Sequence, residues 1–366
     1  MNKTWPASIA PFPGTAFARR LIDWQRQHGR HDLPWQTSDA YRVWLSEIML
    51  QQTQVGTVVP YFERFLTRFP VLGVLADAAP DDVLRHWSGL GYYARARHLH
   101  AAARYIVHEL NGDFPRSSRD IATLPGVGRS TAAAIAVFAF GERTAILDGN
   151  VKRVLARAFG IEGWPGTPRV ENQLWALAET LLPRPDDIVP YTQGLMDLGS
   201  LVCTRTAPLC DRCPVNDLCA GRSSGNPARL PAARPRRQRV IRETGFLLLL
   251  GSGHVLLERR APSGIWGGLW SLPEFDGPEP VETYCRRRFA IEPLSIHRLP
   301  PMEHAFTHFT LIATPWQIHA GERSMAVRDE SLRWWPLSAL SDAGVPAPVR
   351  KILSQLTEGT LQFTRD

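Results

Sequence analysis

Residues 203–219 read CTRTAPLCDRCPVNDLC, which places four of the chain's five cysteines in a single seventeen-residue loop with Cys285 far downstream. The spacing is Cys203-x6-Cys210-x2-Cys213-x5-Cys219. A loop of this length, rich in Pro and Asp, gathers four thiols around one centre or leaves them apart. The start, MNKTWPASIAPFPG, has no apolar signal core, and no run of about 18 apolar residues offers a membrane span. A cytoplasmic chain is therefore expected, where structural disulfides are disfavoured. Zinc or an iron–sulfur cluster remains. Structural zinc usually takes two separated C-x2-C knuckles, and this loop has one such pair, so the spacing favours the cluster and leaves zinc open.

At 366 residues the chain exceeds one ordinary core, so two or three domains are expected. A formal net charge of +7 suits a polyanionic partner, and the positive side is almost all arginine, because only Lys3, Lys152 and Lys351 are lysines. A base-composition bias of the genome accounts for that arginine equally well. Residues 15–201 carry apolar residues at helical spacing, as in YRVWLSEIMLQQT and STAAAIAVFAF. The stretch GRSSGNPARLPAARPRRQR then reads as a linker, with six arginines and no acid between Arg229 and Arg242. Beyond it the texture changes. GFLLLL and HVLLERR flank a glycine turn as two strands, HAFTHFTLIATPWQIH reads as another strand, and VPAPVRKILSQL as a closing helix.

Three stretches of the helical part carry chemistry. In LPGVGRSTA (residues 124–132), Pro125-Gly126 predicts a turn with positive φ at the glycine, and Gly128 opens the next helix with Thr131 in its first turn. Bare amides at a helix N-terminus form an anion site, although an ordinary helix–helix turn has the same signature. In ILDGNVKRVLARAFG, Asp148 precedes a helix whose dipole favours a carboxylate, as for any capping residue. Glu47, in YRVWLSEIMLQQTQV, has Val43, Trp44, Leu50, Gln51 and Gln54 as helix neighbours. That apolar surround raises a carboxyl pKa toward the range of a general acid.

Together the C-x6-C-x2-C-x5-C loop, LPGVGRSTA and the aspartate that follows resemble the endonuclease III/MutY superfamily of DNA glycosylases. The resemblance implies a multidomain chain: an all-α helix-hairpin-helix glycosylase with a [4Fe-4S] loop, plus an α/β Nudix-like C-terminal domain. It implies that Cys203, Cys210, Cys213 and Cys219 hold a [4Fe–4S] cluster, with Arg205 and Arg212 facing the DNA backbone. Gly126, Val127, Gly128 and Thr131 become hairpin contacts to DNA, and Asp148 the catalytic aspartate. Bifunctional relatives carry LPGVGRKTA, whose lysine attacks the sugar. This chain has Ser130 there, beside Arg129, whose guanidinium does not deprotonate. Chemistry that stops at base release is expected, with Lys152 the only lysine near the motif.

WLSEIMLQQT is similar to the adenine-excising branch of the superfamily, in which the glutamate, here Glu47, protonates the adenine ring. Gln51, Gln52 and Thr53 then enter the duplex as the base leaves, and GLGYYARA places Tyr92 to stack in the gap. Asn150 orients Asp148 or the water. Residues from about 239 onward resemble that branch's Nudix-like domain, with GGLWSLPEF as its glycine-rich start. The carboxylate helix of Nudix hydrolases is replaced by PVETYCRRRFAIEP, so recognition is expected rather than Mg²⁺ chemistry. HAFTHF resembles the loop that contacts 8-oxoguanine, with Phe306, Thr307 and His308 as readers and threonine in place of serine. His304, His308 and His319 read as strand polar residues in preference to a metal set, and Cys285 as an unligated thiol.

The expected function is a monofunctional glycosylase of base excision repair that flips out and hydrolyses adenine opposite 8-oxoguanine or guanine. Its partner would be double-stranded DNA bearing such mispairs, with no membrane and a monomeric chain in a bacterial cytoplasm at the nucleoid. Expected boundaries are residues 1–220 for the helix-hairpin-helix region, with a six-helix barrel at about 41–150 and the cluster domain from 1–40 and 151–220. A linker follows at 221–238 and the Nudix-like domain at 239–366. An endonuclease III-like glycosylase/lyase, a nucleotide diphosphate hydrolase and a non-catalytic DNA-binding protein are the alternatives.

Overall fold

The computed structural model describes residues 14–235, 239–306, 308–321 and 329–357. Two compact units emerge, one from Met1–Ala76 with Ala101–Arg236 and one from Asp77–His100 with Arg237–Asp366. The helices in chain order are α1 (Gly14–His28), α2 (Ala40–Leu50), α3 (Val55–Arg68), α4 (Leu72–Ala76), α5 (Pro80–Trp87), α6 (Ala94–Glu109) and α7 (Ser118–Ile121). They continue as α8 (Arg129–Phe140), α9 (Gly149–Ala158), α10 (Pro168–Thr180), α11 (Ile188–Asp197), α12 (Ala220–Ser223), α13 (Val281–Phe289) and α14 (Ala347–Thr357).

In the first unit, α8 is buried continuously from Ala132 to Val137, as its nearly all-apolar RSTAAAIAVFAF dictates. It stops at Gly141, which takes the left-handed conformation that favours glycine. Asp39 caps α2 through the Arg42 amide (3.1 Å), and Asp148 caps α9 through the Val151 amide (2.7 Å). Phe17, Leu21, Val137, Leu155, Leu174 and Leu198 belong to one core that joins α1, α8, α9, α10 and α11.

After α11 the chain widens into a π-helical turn, Leu198–Val202, and enters the cysteine loop, which carries 3-10 turns at Cys210–Arg212 and Asn216–Leu218. The Pro/Arg-rich stretch that follows is fastened to this unit as far as the structure describes it. The Ala232 amide donates to the Gly163 carbonyl (3.1 Å), and Arg157 Nε donates to the Leu230 carbonyl (2.8 Å).

Among the described residues, the second unit is built on a mixed eight-stranded sheet. Its strands are β1 (Val240–Gly251), β2 (His254–Arg259), β3 (Trp270–Ser271), β4 (Glu274–Phe275), β5 (Pro293–Arg298), β6 (Met302–Ala305), β7 (Phe309–Ala320) and β8 (Leu332–Pro336). As the GFLLLL-GSG-HVLLERR pattern suggests, β1 turns into β2 through Ser252 and Gly253, both with positive φ. The sheet's centre is a long parallel pairing of β1 with β7, from Val240↔Phe309 to Leu250↔His319. No alternation pattern announces it, because from Thr244 to Leu250 β1 is buried on both faces. Leu247, Leu249, Leu256 and Ile318 pack beneath α13 with Cys285, which is fully buried.

Residues 77–100 belong to this unit through specific bonds. Ser88 Oγ donates to the Val345 carbonyl (3.2 Å), Arg350 reaches Ser88 Oγ (2.9 Å), and Arg259 pairs with Asp81 (2.5 Å). Among the described residues no helix is long and apolar enough to cross a membrane.

Candidate active site

Glu47 lies in the middle of α2, on the wall of a cavity of about 430 Å³, within the range of small-ligand sites. Trp35, Val43, Leu50, Val55, Phe138 and Met196 supply its apolar lining, and Gln25, Arg30, His31, Gln36, Ser46 and Gln193 its polar part. Burial pushes the Glu47 carboxyl up to about 8, and the charge of Asp148 adds to that rise. The two carboxylates therefore feel one another although 101 residues separate them in sequence (148 − 47).

Their surroundings differ. Burial raises Asp148 as well, but the amides of Val151 and Asn150 and the charges of Arg153 and Lys152 all oppose that rise. Asp148 thus has four supports for its anionic form, and none of that kind counters the rise at Glu47. At neutral pH the proton is therefore favoured on Glu47, while Asp148 keeps hydrogen bonds and positive charges that oppose the rise burial causes there.

The other expected residues of this unit are held by bonds of their own. Ser130 Oγ accepts a hydrogen bond from the Leu147 amide (2.9 Å), so the hydroxyl anchors the segment that delivers Asp148. Asn150 Oδ1 accepts from Arg153 Nη2 (2.9 Å), and the same nitrogen donates to the Gly199 carbonyl (2.6 Å). Gln51 Nε2 donates to Thr131 Oγ1 (3.3 Å), which joins the end of α2 to the first turn of α8. Gln52 has a left-handed backbone (φ 59°), and Thr53 closes the turn with its amide on the Leu50 carbonyl (3.2 Å). Lys152 is engaged by Glu171 (2.6 Å).

In the hairpin, Gly126 adopts the positive φ (76°) that the Pro-Gly pair predicts. Gly126 and Gly128 are exposed and Gly128 caps α8, which leaves backbone accessible at a helix N-terminus. Val127 differs, because its side chain is buried and its amide donates to the Leu124 carbonyl (3.1 Å) within the turn. Arg129 leans away onto α10, paired with Glu179 (2.6 Å) and lying over the Trp175 ring (3.7 Å).

The four loop cysteines are half-buried and carry no disulfide. Burial pushes the Cys213 thiol up to about 12, with Cys203, Cys219 and Cys210 adding to the rise, so all four sulfurs share one neighbourhood. Among the described residues no three His, Cys, Asp or Glu groups converge closely enough for a single metal ion. Four sulfurs around one zinc stand roughly 3.8 Å apart at Zn–S ≈ 2.3 Å. In a four-iron cluster each thiolate takes its own iron and the sulfurs stand farther apart. Four thiolates in one loop are the donor set that such a cluster takes. Arg157, 2% exposed, donates to Cys203 Sγ (3.4 Å) and to the carbonyls of Thr204 (2.6 Å) and Arg205 (2.8 Å).

Several positions here carry no signal in the sequence. Asp197 is fully buried and holds both the Arg30 amide (2.9 Å) and its Nε (2.7 Å), with Gln193 Nε2 on the same carboxylate (2.9 Å). Two polar residues of the cavity wall are thereby fixed. Gln36 bridges the Leu33 amide (3.0 Å) and the Arg30 carbonyl (2.7 Å) and lines the cavity. Arg153 and Arg157 both reach the cysteine loop, and here a signal does exist, because residues four apart on α9 share one face.

In the second unit, Tyr92 is 51% exposed with a left-handed backbone (φ 49°), whereas its neighbour Tyr93 is buried. Phe306 packs edge-on against His304 and stacks on Phe309 (4.5 Å), and His308 is exposed in the turn between them. Thr307 lies outside the described residues. In a pocket of the second unit, Glu258 pairs with Arg288 (3.1 Å) and Glu274 with Arg260 (2.9 Å) and Arg242 (3.1 Å).

Residues 45–180 match the HhH-GPD superfamily of base excision DNA repair proteins, and residues 245–355 match the NUDIX domain. Over 344 residues the chain is 35% identical to an adenine DNA glycosylase of Buchnera aphidicola subsp. Baizongia pistaciae (strain Bp), covering 93% of this chain and 96% of that protein. The adenine DNA glycosylase of Mus musculus is 34% identical over 433 residues, 98% of this chain and 82% of that one. Among solved structures, a thermostable thymine-DNA glycosylase superposes with TM-score 0.52 at 30% identity, covering 57% of this chain and 95% of that chain.

Proposed function

Because the chain belongs to the adenine DNA glycosylase family, we propose that it hydrolyses the N-glycosidic bond of an adenine flipped out of duplex DNA opposite 8-oxoguanine or guanine. The observation that carries this reading is Glu47 on the wall of a small-ligand cavity, its carboxyl raised to about 8 by burial and by the charge of Asp148, while two amides and two cations oppose the rise at Asp148.

A stacked base cannot reach such a cavity, so the nucleotide leaves the helix, with Gln51, Gln52, Thr53 and Tyr92 occupying the gap. In the cavity Glu47 gives its proton to a ring nitrogen of the purine, which then departs as a neutral base. The sugar passes through an oxocarbenium-like cation, and Asp148 supplies the facing negative charge. A water oriented by Asn150 or Asp148 adds to C1′ and loses its proton, leaving an abasic sugar. Gln193 has one amide hydrogen committed to Asp197, and its oxygen remains an acceptor for the adenine amino group.

Strand cleavage is not part of the reaction. Ser130 has no amine to form a Schiff base, and Lys152 is held by Glu171. Cys203, Cys210, Cys213 and Cys219 would hold a [4Fe–4S] cluster, which would supply loop organisation and no base chemistry. Arg205, Arg212 and the hairpin at Gly126, Gly128 and Thr131 would then meet the phosphate backbone. Phe306, Thr307 and His308 would read the base opposite adenine. The same reading assigns residues 1–220 to the glycosylase region, 221–238 to a linker and 239–366 to lesion recognition, in a monomer acting at a bacterial nucleoid.

The deciding experiment treats an A:8-oxoguanine duplex with wild type and with Glu47→Gln, then with hot alkali. Alkali-dependent cleavage by wild type, reduced at least about a hundredfold in the variant, is expected for a lost general acid. Equal product from both removes Glu47 as the acid, and cleavage without alkali restores the lyase.

A further inference from the structure

Two loops of the second unit are joined by a short path of contacts. The first is the Tyr92 loop, in which Gly89, Gly91 and Tyr92 all have positive φ and Tyr92 projects outward. One helical turn onward, Arg97 Nη1 donates to the Gly267 carbonyl (2.6 Å). Gly267 is fixed as glycine, because a Cβ there would lie 2.5 Å from the Pro262 carbonyl oxygen. The residue before it, Trp266, has φ 56°, a left-handed backbone that bulky side chains rarely adopt. Its ring is buried, 5.5 Å from the Phe306 ring and 6.1 Å from that of His304. Phe306 closes the second loop by donating its amide to the Phe309 carbonyl (2.9 Å), with His308 exposed at the tip. Residues 266–267 are thus held at one end by the helix that follows Tyr92 and at the other by the rings of Phe306 and His304. Strained backbone that persists in this way is over-determined by its surroundings.

We propose that Arg97 and Trp266 are positioning residues that brace Phe306 against the Tyr92 loop, so that reading of the base opposite adenine and occupation of the emptied stack favour one another. This rests on the assignment of residues 306–308 as readers of that base. Neither side chain touches the reacting atoms. Both set where Phe306 stands.

The full-length protein is assayed for single-turnover rate and KM-equivalent binding on A:8-oxoguanine and A:G duplexes. Trp266→Ala and Arg97→Met are each expected to lower the preference for 8-oxoguanine by about fivefold or more, the scale of typical coupling between sites. Trp266→Phe is expected to keep it. In a His308→Ala background, which itself lowers the preference, Trp266→Ala is expected to add nothing. If His308→Ala lowers the preference while Trp266→Ala and Arg97→Met leave it unchanged, or slow both substrates equally, the brace is wrong and the loop assignment stands. If His308→Ala and Phe306→Ala leave it unchanged, the loop assignment fails and the brace with it. Should Trp266→Ala not fold, Arg97→Met and Trp266→Phe decide the matter.

Discussion

Gly199 and Asn150 stand so close that a Cβ on the glycine would lie 2.6 Å from the Asn150 Cβ and 3.3 Å from its backbone. The π-helical turn after α11 makes this approach, and Arg153 clasps it by bonding both the Asn150 amide oxygen and the Gly199 carbonyl. Gly199→Ala is therefore expected to push the start of α9, and Asp148 with it, out of register. A stability loss of about 1–3 kcal/mol accompanies an overpacked contact of this kind. Denaturant unfolding measures that loss. Single-turnover excision is expected to fall more steeply than stability explains.

The pH dependence follows from Glu47. Its folded pKa is raised to about 8 from 4.5, so the proton-donating form predominates below about 8 and is lost above it. Excision under single-turnover conditions is expected to decline as pH rises through about 8. Stability has the same sign. Between 4.5 and about 8 the unfolded chain releases a proton that the folded chain retains, so stability falls as pH rises through that window. Glu47→Gln removes the liability. Its unfolding temperature is expected to exceed that of wild type at pH 8.5 and to match it near pH 4.5. The difference is on the order of 2–4 kcal/mol, since a tenfold change in proton affinity corresponds to about 1.4 kcal/mol.

Arg157 bears on the cysteine loop. Its buried guanidinium satisfies the carbonyls of Thr204, Arg205 and Leu230 and donates to the Cys203 sulfur. Arg157→Leu fills a similar volume but leaves those acceptors without this donor, at about 1–3 kcal/mol each where they stay dry. Purified variant protein is expected to carry less iron and sulfide per chain and to be cut by protease within residues 203–219. Equal iron content in the two proteins would contradict the role.

Asp197→Asn tests the cavity wall. The variant leaves Arg30 without a buried counter-charge, a loss of about 3–5 kcal/mol for a broken buried pair. Weaker retention of adenine-containing substrate is expected alongside the lowered stability, because Arg30 and Gln193 both depend on this carboxylate. Measurements of product yield against enzyme concentration separate the two effects.

The parts of this molecule that depend on neighbours in sequence are legible in it. The Pro125-Gly126 turn, the cap at Asp148 and the apolar surround of Glu47 are local, and each lies within a few residues of its cause. The cavity is not legible. Its wall brings Arg30 to Asp197, 167 residues apart, and neither position has a periodicity that names the other. The amide of Val127 illustrates the limit from the other side. The motif suggests a free backbone donor, yet the turn it creates uses that donor internally. The parallel pairing of β1 with β7 is equally silent, since a strand buried on both faces has no alternation to reveal its partner.

Residues 77–100 interrupt the sequence of one compact unit and belong to the other, bonded to it at Asp81, Ser88 and Arg97. The chain therefore cannot be divided by one cut. Severing it near residue 236 yields an N-terminal fragment that keeps the Tyr92 segment while shedding the side chains and carbonyls to which that segment is bonded. Such a fragment should be nicked by trypsin at Arg95 or Arg97 sooner than the intact protein. Adding back the separate C-terminal piece should slow the digestion.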